Sequence, residues 1–190
     1  AYVQSGFYGA DESNRHDSRA LTMASRILST RMIKEVREDA QLVYSIGAQS
    51  RPGSTFPGFG VFAAGAPTDP HKTDALVEKL ASMYEKFAKA GPTDEEVEVA
   101  RLQMKNTYEE QMKEPTFWAT RLNQLAFRGI NLDDLADEVD AYQRMTPSEI
   151  KDVFAKYYSK DNSIVVVVKP SGKGPTTTKT ASSGNNQSGS

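Results

Sequence analysis

Leu42-Val-Tyr-Ser-Ile-Gly-Ala48 alternates Leu42, Tyr44, Ile46 and Ala48 on one side with Val43, Ser45 and Gly47 on the other, the period-two pattern of a strand. Arg51-Pro-Gly-Ser-Thr-Phe-Pro-Gly58 then concentrates turn formers, and Phe59 to Ala66 reads as a second strand. The simplest pairing of the two is an antiparallel hairpin with a long loop. Gly60, Ala63, Ala64 and Gly65 leave that second strand open to close approach by a neighbour.

Outward from this hairpin, Tyr2 to Gly9 reads as a further strand, and its abrupt start is the expectation for a piece of a larger protein. From Ser18 to Glu38, Leu21, Ala24, Ile27, Leu28, Met32 and Val36 recur at helical spacing. Ser29-Thr30 is a possible break there, with either residue capping a second helix. Downstream, Asp69-Pro70 opens a helix ending at Gly91. Thr93 and Glu96 form a capping box for the next, whose stripe is Val97, Ala100, Met104, Tyr108 and Met112.

Pro115 starts a helix that closes at Gly129, and Leu132 to Tyr142 gives a short one. Thr146-Pro-Ser-Glu149 caps the last, with Ile150, Val153, Phe154 and Tyr157 on its buried face. Ile164 to Val168 is an unbroken β-branched run, the makeup of a central strand covered on both faces. Residues 171–190 hold Ser, Gly, Thr, Asn and Lys with no large apolar side chain, and are expected to be a disordered tail after one domain spanning 1–170. The expected fold class is α+β: a mostly antiparallel sheet with helices mainly on one face.

Composition narrows function. The 23 basic and 25 acidic residues are interspersed and give a net charge of −2, unlike a nucleic-acid-binding surface. No stretch approaches the roughly 20 apolar residues that span a bilayer as a helix. The absence of cysteine removes disulfides and thiolate ligands, and leaves the compartment open between an exported, periplasm-like setting and the cytoplasm. His16 and His71 are the two histidines, and neither stands in an H-E-x-x-H or H-x-x-E-H zinc motif. Asp94-Glu-Glu96 lies at a helix start, where acidic side chains complement the dipole.

Thr30-Arg-Met-Ile-Lys-Glu-Val-Arg-Glu-Asp-Ala-Gln-Leu-Val-Tyr44 resembles the segment of pitrilysin/insulinase-family zinc peptidases in which a helical Arg is followed seven residues later by a strand-borne Tyr. Arg37 and Tyr44 fit that pattern. The capped helices at Gly91–Glu96 and Met145–Glu149, the Pro-Thr-Phe-Trp118 helix and the Val-rich strand fall in the order of the family's second-half domain, over about residues 1–170. The resemblance implies a domain without zinc that faces a homologous zinc-bearing domain or subunit across a chamber. Arg37 and Tyr44 would then be substrate-binding residues for peptides, with no catalytic residue and no metal ligand in this chain. Such a chain alone would be inactive. Position by itself says less, since Tyr44 shares a strand face with Leu42 and Ile46 and reads as a core tyrosine, and Arg37 as a surface helix residue. Two rivals are a structural subunit of the same family and an unrelated interaction module using the Pro92–Glu114 helix.

Overall fold

The computed structural model describes residues 1–54, 56, 58–128 and 138–171. In chain order the elements are β1 (Tyr2–Gly9), α1 (Arg15–Met32), β2 (Gly47–Arg51), β3 (Gly60–Pro67), α2 (Thr73–Ala90), α3 (Asp94–Met112), α4 (Pro115–Arg128), α5 (Glu138–Arg144), α6 (Pro147–Tyr157) and β4 (Ser163–Val168). The sheet is four-stranded in the order β2-β3-β1-β4, and every pairing is antiparallel. It is the expected α+β architecture.

Alternation divides the sheet into two faces. Val3, Ser5 and Phe7 of β1 and Phe62, Ala64 and Ala66 of β3 point toward the helices and are almost wholly buried. Phe7 stacks on Phe62 with ring centroids 4.9 Å apart, and Phe154 of α6 meets both rings edge-on. Tyr84 of α2 joins this cluster and donates its hydroxyl to the Ser5 carbonyl, so its one polar atom is satisfied in the core. Burial pushes the Tyr84 hydroxyl pKa well above the usual range. Each large apolar side chain buried here stabilises the fold by about 1.5–3 kcal/mol. On the opposite face Tyr2, Tyr8, Val61, Ile164, Val166 and Val168 remain partly exposed.

The predicted caps form. Thr93 and Thr146 accept from the backbone of Glu96 and Glu149, whose carboxylates return to the capping residues. Gly91 ends α2 at φ 72°, a conformation that side-chain-bearing residues rarely adopt.

Several expectations are corrected. Ser29-Thr30 does not break α1, which runs unbroken to Met32, because the Ser29 hydroxyl bonds back to the Ser25 carbonyl and outward to β2. The strand predicted over Leu42–Ala48 is displaced to Gly47–Arg51, and Leu42 to Ile46 instead form an irregular connection tied to Thr68. Ile164–Val168 is not central. Among the described residues β4 is an edge strand, and its five β-branched residues are 39–59% exposed. The short helix expected from Leu132 is described only from Glu138, and the stop at Gly129 and the expected tail beyond Ser171 lie outside the described residues.

Candidate functional site

Arg37 and Tyr44 are brought together by an unusual helix end. Past Met32 the helix continues as a π-helical segment, Ile33–Asp39, a geometry concentrated at functional sites. Within it Val36 is fully buried and Glu35 pairs with Lys79 at 2.8 Å, which fixes the segment's rotation and turns Arg37 outward. The chain then reverses. Gln41 adopts φ 50°, its carbonyl accepts from Lys72 Nζ at 2.9 Å, and the Leu42 N–H donates back to the Val36 carbonyl at 3.0 Å. Thr68 holds the next step, its hydroxyl donating to the Leu42 carbonyl at 2.8 Å while Val43 bridges to it.

Tyr44 therefore leaves a backbone anchored on both sides and swings back over the helix end. The Arg37 guanidinium carbon lies 5.8 Å from the Tyr44 ring centroid, within cation–π range. At an exposed site such a contact contributes roughly 0.5–1 kcal/mol, enough to orient two side chains without building a core around them. Tyr44 is 85% exposed, so the core reading of this residue is overturned. The strand alternation that suggested it fails because the strand begins only at Gly47. Arg37 is exposed, as its helical position implies. Neither side chain hydrogen-bonds to another described residue, and the forked guanidinium donors and the phenolic O–H both face solvent.

The remaining polar clusters are structural. Asp17, at the start of α1, is nearly buried and accepts from Lys156 Nζ at 2.7 Å and the Tyr157 hydroxyl at 2.9 Å, joining α1 to α6. Burial raises its pKa, but the hydrogen bonds from Lys156, His16 and Tyr157 outweigh that and hold it below the usual aspartate range. His16 lies against Asp17 and Glu149, and His71 is exposed in the turn preceding α2. Arg31 grips both oxygens of Glu96, at 2.6 and 2.7 Å, and donates to the Gly91 carbonyl. Sequence reasoning found the Arg37–Tyr44 pair only through the family pattern. It missed Asp17 and Arg31 because their partners lie 139 and 65 residues away.

Among the described residues no group of three metal-ligating side chains converges. The donors of the described residues do not fit zinc, which takes three or four such ligands.

The domain is two-layered, a four-stranded antiparallel sheet with helices packed on one face. Residues 1–104 match the family model described as the peptidase M16 inactive domain, and the chain belongs to that family. Its fold is similar to the peptidase M16 inactive domain from Pseudomonas fluorescens, with TM-score 0.76 and 20% identity over 89% of this chain and 42% of that one. A protease from Helicobacter pylori gives TM-score 0.77 and 18% identity, over 89% and 41% of the two chains. The periplasmic protease PqqL from Escherichia coli gives 0.66 and 16%, over 88% and 19%. The chain thus spans about two fifths of the length of the first two of these relatives and about a fifth of the third. No curated protein matches it.

Proposed function

We propose that this chain is the substrate-holding half of a zinc metalloendopeptidase, with the metal supplied by a homologous domain or subunit. The observation that carries this reading is the Arg37–Tyr44 pair itself, two side chains from different elements held 5.8 Å apart with their donors free toward solvent. A guanidinium presents a planar fork to a peptide carbonyl or carboxylate. A phenol beside it donates to an oxygen gaining negative charge as the peptide bond is attacked, where a placed donor acts most strongly. Both roles suit a domain that holds a substrate and leaves activation of water to its partner.

Membership of the peptidase M16 inactive-domain family supports a peptidase context. An exported, periplasm-like setting is supported by the likeness to a periplasmic protease, and the absence of cysteine is compatible with it. The test is peptide cleavage by the enzyme assembled with its zinc-bearing half, comparing the native chain with Arg37→Ala and Tyr44→Phe. Normal cleavage by both variants would overturn the proposal.

A further inference from the structure

The sheet face turned away from the helices is not built for water alone. A solvated antiparallel face ordinarily reads as polar. This one carries Tyr2, Tyr8, Val61, Ile164 and Val166, with Gly6 and Ala63 paired at its centre. Arg51, opposite Val61, is the one charge among the described strand residues of that face. A cavity of about 470 Å³ opens there over Val61 and Ala63, within the range of about 300–1,000 Å³ that small-ligand sites occupy. Gln4, Gln49 and Arg51 wall it on the strands, and Phe56 and Phe59 wall it between β2 and β3.

Both walls are set in advance. The Gly53 N–H donates to the Ala10 carbonyl at 3.1 Å, its carbonyl accepts from Glu12 at 3.0 Å, and the Gly58 N–H donates to Asp11 Oδ2 at 2.7 Å. Packing at Gly53 is so close that an added Cβ would lie 2.7 Å from the Gly60 nitrogen. Phe59 meets Tyr8 and Phe56 edge-on at 5.9 and 6.5 Å, and all three rings remain exposed. Arg51 Nε donates to Gln49 Oε1 at 3.1 Å, which orients the guanidinium. Its two terminal nitrogens have no partner among the described residues, and neither does the Gln4 amide.

We propose that this cavity binds the C-terminus of a peptide whose last residue is large and apolar. The unpaired fork of Arg51 takes the carboxylate through two parallel hydrogen bonds. Phe56 and Phe59 take the side chain beside it, and the amides of Gln4 and Gln49 take the main chain. The carboxylate is that of a chain end because Arg51 is the last residue of β2 and Phe59 directly precedes β3, so a peptide lying along the face meets the phenylalanines and stops. That the ligand is a peptide rests on the substrate-holding role proposed for Arg37 and Tyr44. Tyr44 precedes β2 and Arg51 closes it, which puts the two sites at opposite ends of one strand.

Titrating the purified, isotopically labelled chain with a hexapeptide of glycine and alanine ending in phenylalanine, followed by amide NMR shifts, tests this. Saturable shifts at Gln49, Arg51 and Phe59 are expected. Amidating the peptide's C-terminus should weaken binding by roughly tenfold to a hundredfold, the scale of hydrogen bonds to a charged group. Arg51→Gln should weaken the free-acid peptide by the same factor, leave the amidated one unchanged and, because Arg51 is exposed, leave the melting temperature unchanged. No shifts at millimolar peptide, equal affinity for the amidated form, or Arg51→Gln without effect would overturn the proposal. Equal binding of an amidated peptide with an internal glutamate beside its phenylalanine would overturn the choice of a chain end. Shifts at the same residues that follow protein concentration alone would give the face to a second copy instead. Binding is read on this chain without a zinc-bearing half, so failure here is distinct from normal cleavage by Arg37→Ala and Tyr44→Phe, which sinks the earlier reading.

Discussion

The Ser29 hydroxyl of α1 accepts the Ala48 N–H of β2 at 2.8 Å and lies 3.1 Å from the Ala48 carbonyl, so one helix side chain occupies the outward-facing main chain of an edge strand. A helix that only packed on the sheet would leave that N–H to water or to another strand. Here the contact fixes β2, the strand that follows Tyr44, against the helix that leads into Arg37.

Ser29→Ala should therefore destabilise the fold by about 1–3 kcal/mol, the cost of stranding a partly buried donor. Thermal melts would show the loss, and the Ala48 amide should exchange faster with solvent. An unchanged melting temperature would mean that water replaces the hydroxyl at no cost.

Gly91 offers a backbone test. It joins α2 to α3 at φ 72° and ψ −169°, and an added Cβ would lie 2.8 Å from Lys151 Cβ. That region is essentially reserved for glycine, and Gly91→Ala should cost about 1–3 kcal/mol in a urea titration. Since Arg31 also grips the Gly91 carbonyl, a shifted turn should loosen the Arg31–Glu96 pair as well.

Acid sensitivity follows from Asp17 and Glu96, both held below the ordinary carboxylate range. For Asp17, burial acts upward and is outweighed by its hydrogen bonds, from Lys156 foremost. For Glu96, the Arg31 hydrogen bond dominates. A carboxyl with a folded pKa below its unfolded value contributes stability that is present above the unfolded value and lost as pH falls through the folded one. Stability should hold from neutral pH down to the normal carboxylate range and fall steeply beneath it. In urea melts from pH 7 to pH 2, Asp17→Asn should start lower and fall less, with Glu96, Asp11 and Glu149, all likewise held low by their hydrogen bonds, supplying the remaining slope.

The fold was legible where local signals decide it. Thr93, Thr146, Asp69-Pro70 and Gly91 punctuate their helices through contacts within a few residues, and β1 and β3 lie within a residue of the strands expected over Tyr2–Gly9 and Phe59–Ala66. Where tertiary contacts decide, the sequence was silent or misleading. Leu42 to Ile46 alternates like a strand, but Thr68 and Val36 take its main-chain groups. Ser29 reads as a helix breaker because its partner, Ala48, belongs to another element. Ile164–Val168 has the composition of a central strand and the position of an edge, a mismatch that no window of sequence can show. For the site, the spacing of Arg37 and Tyr44 carried meaning only through the family pattern, and the exposure of Tyr44 ran against the local one.

The last prediction separates binding from stability at Arg37 and Tyr44. Both side chains are exposed and their mutual contact is one cation–π pair, so truncating either should lower stability in thermal melts by less than about 1 kcal/mol. In the assembled peptidase the effects should be large. If the Tyr44 hydroxyl donates to an oxygen that gains charge during attack, Tyr44→Phe should lower kcat/KM by on the order of 100-fold or more, mainly through kcat, since the bond matters most in the transition state. Arg37→Ala should weaken substrate binding by about 1.5–3 kcal/mol, the scale of a hydrogen bond to a charged group. Arg37→Lys should rescue poorly because an ammonium lacks the planar fork. The double variant should lose less than the sum of the two, because Arg37→Ala already removes the cation–π contact that orients the Tyr44 ring and so weakens what the hydroxyl contributes. Cleavage kinetics and melts on the same preparations decide the matter. A loss of activity matched by a loss of stability would make the pair structural, whereas a loss of activity at constant stability is what substrate-holding residues require.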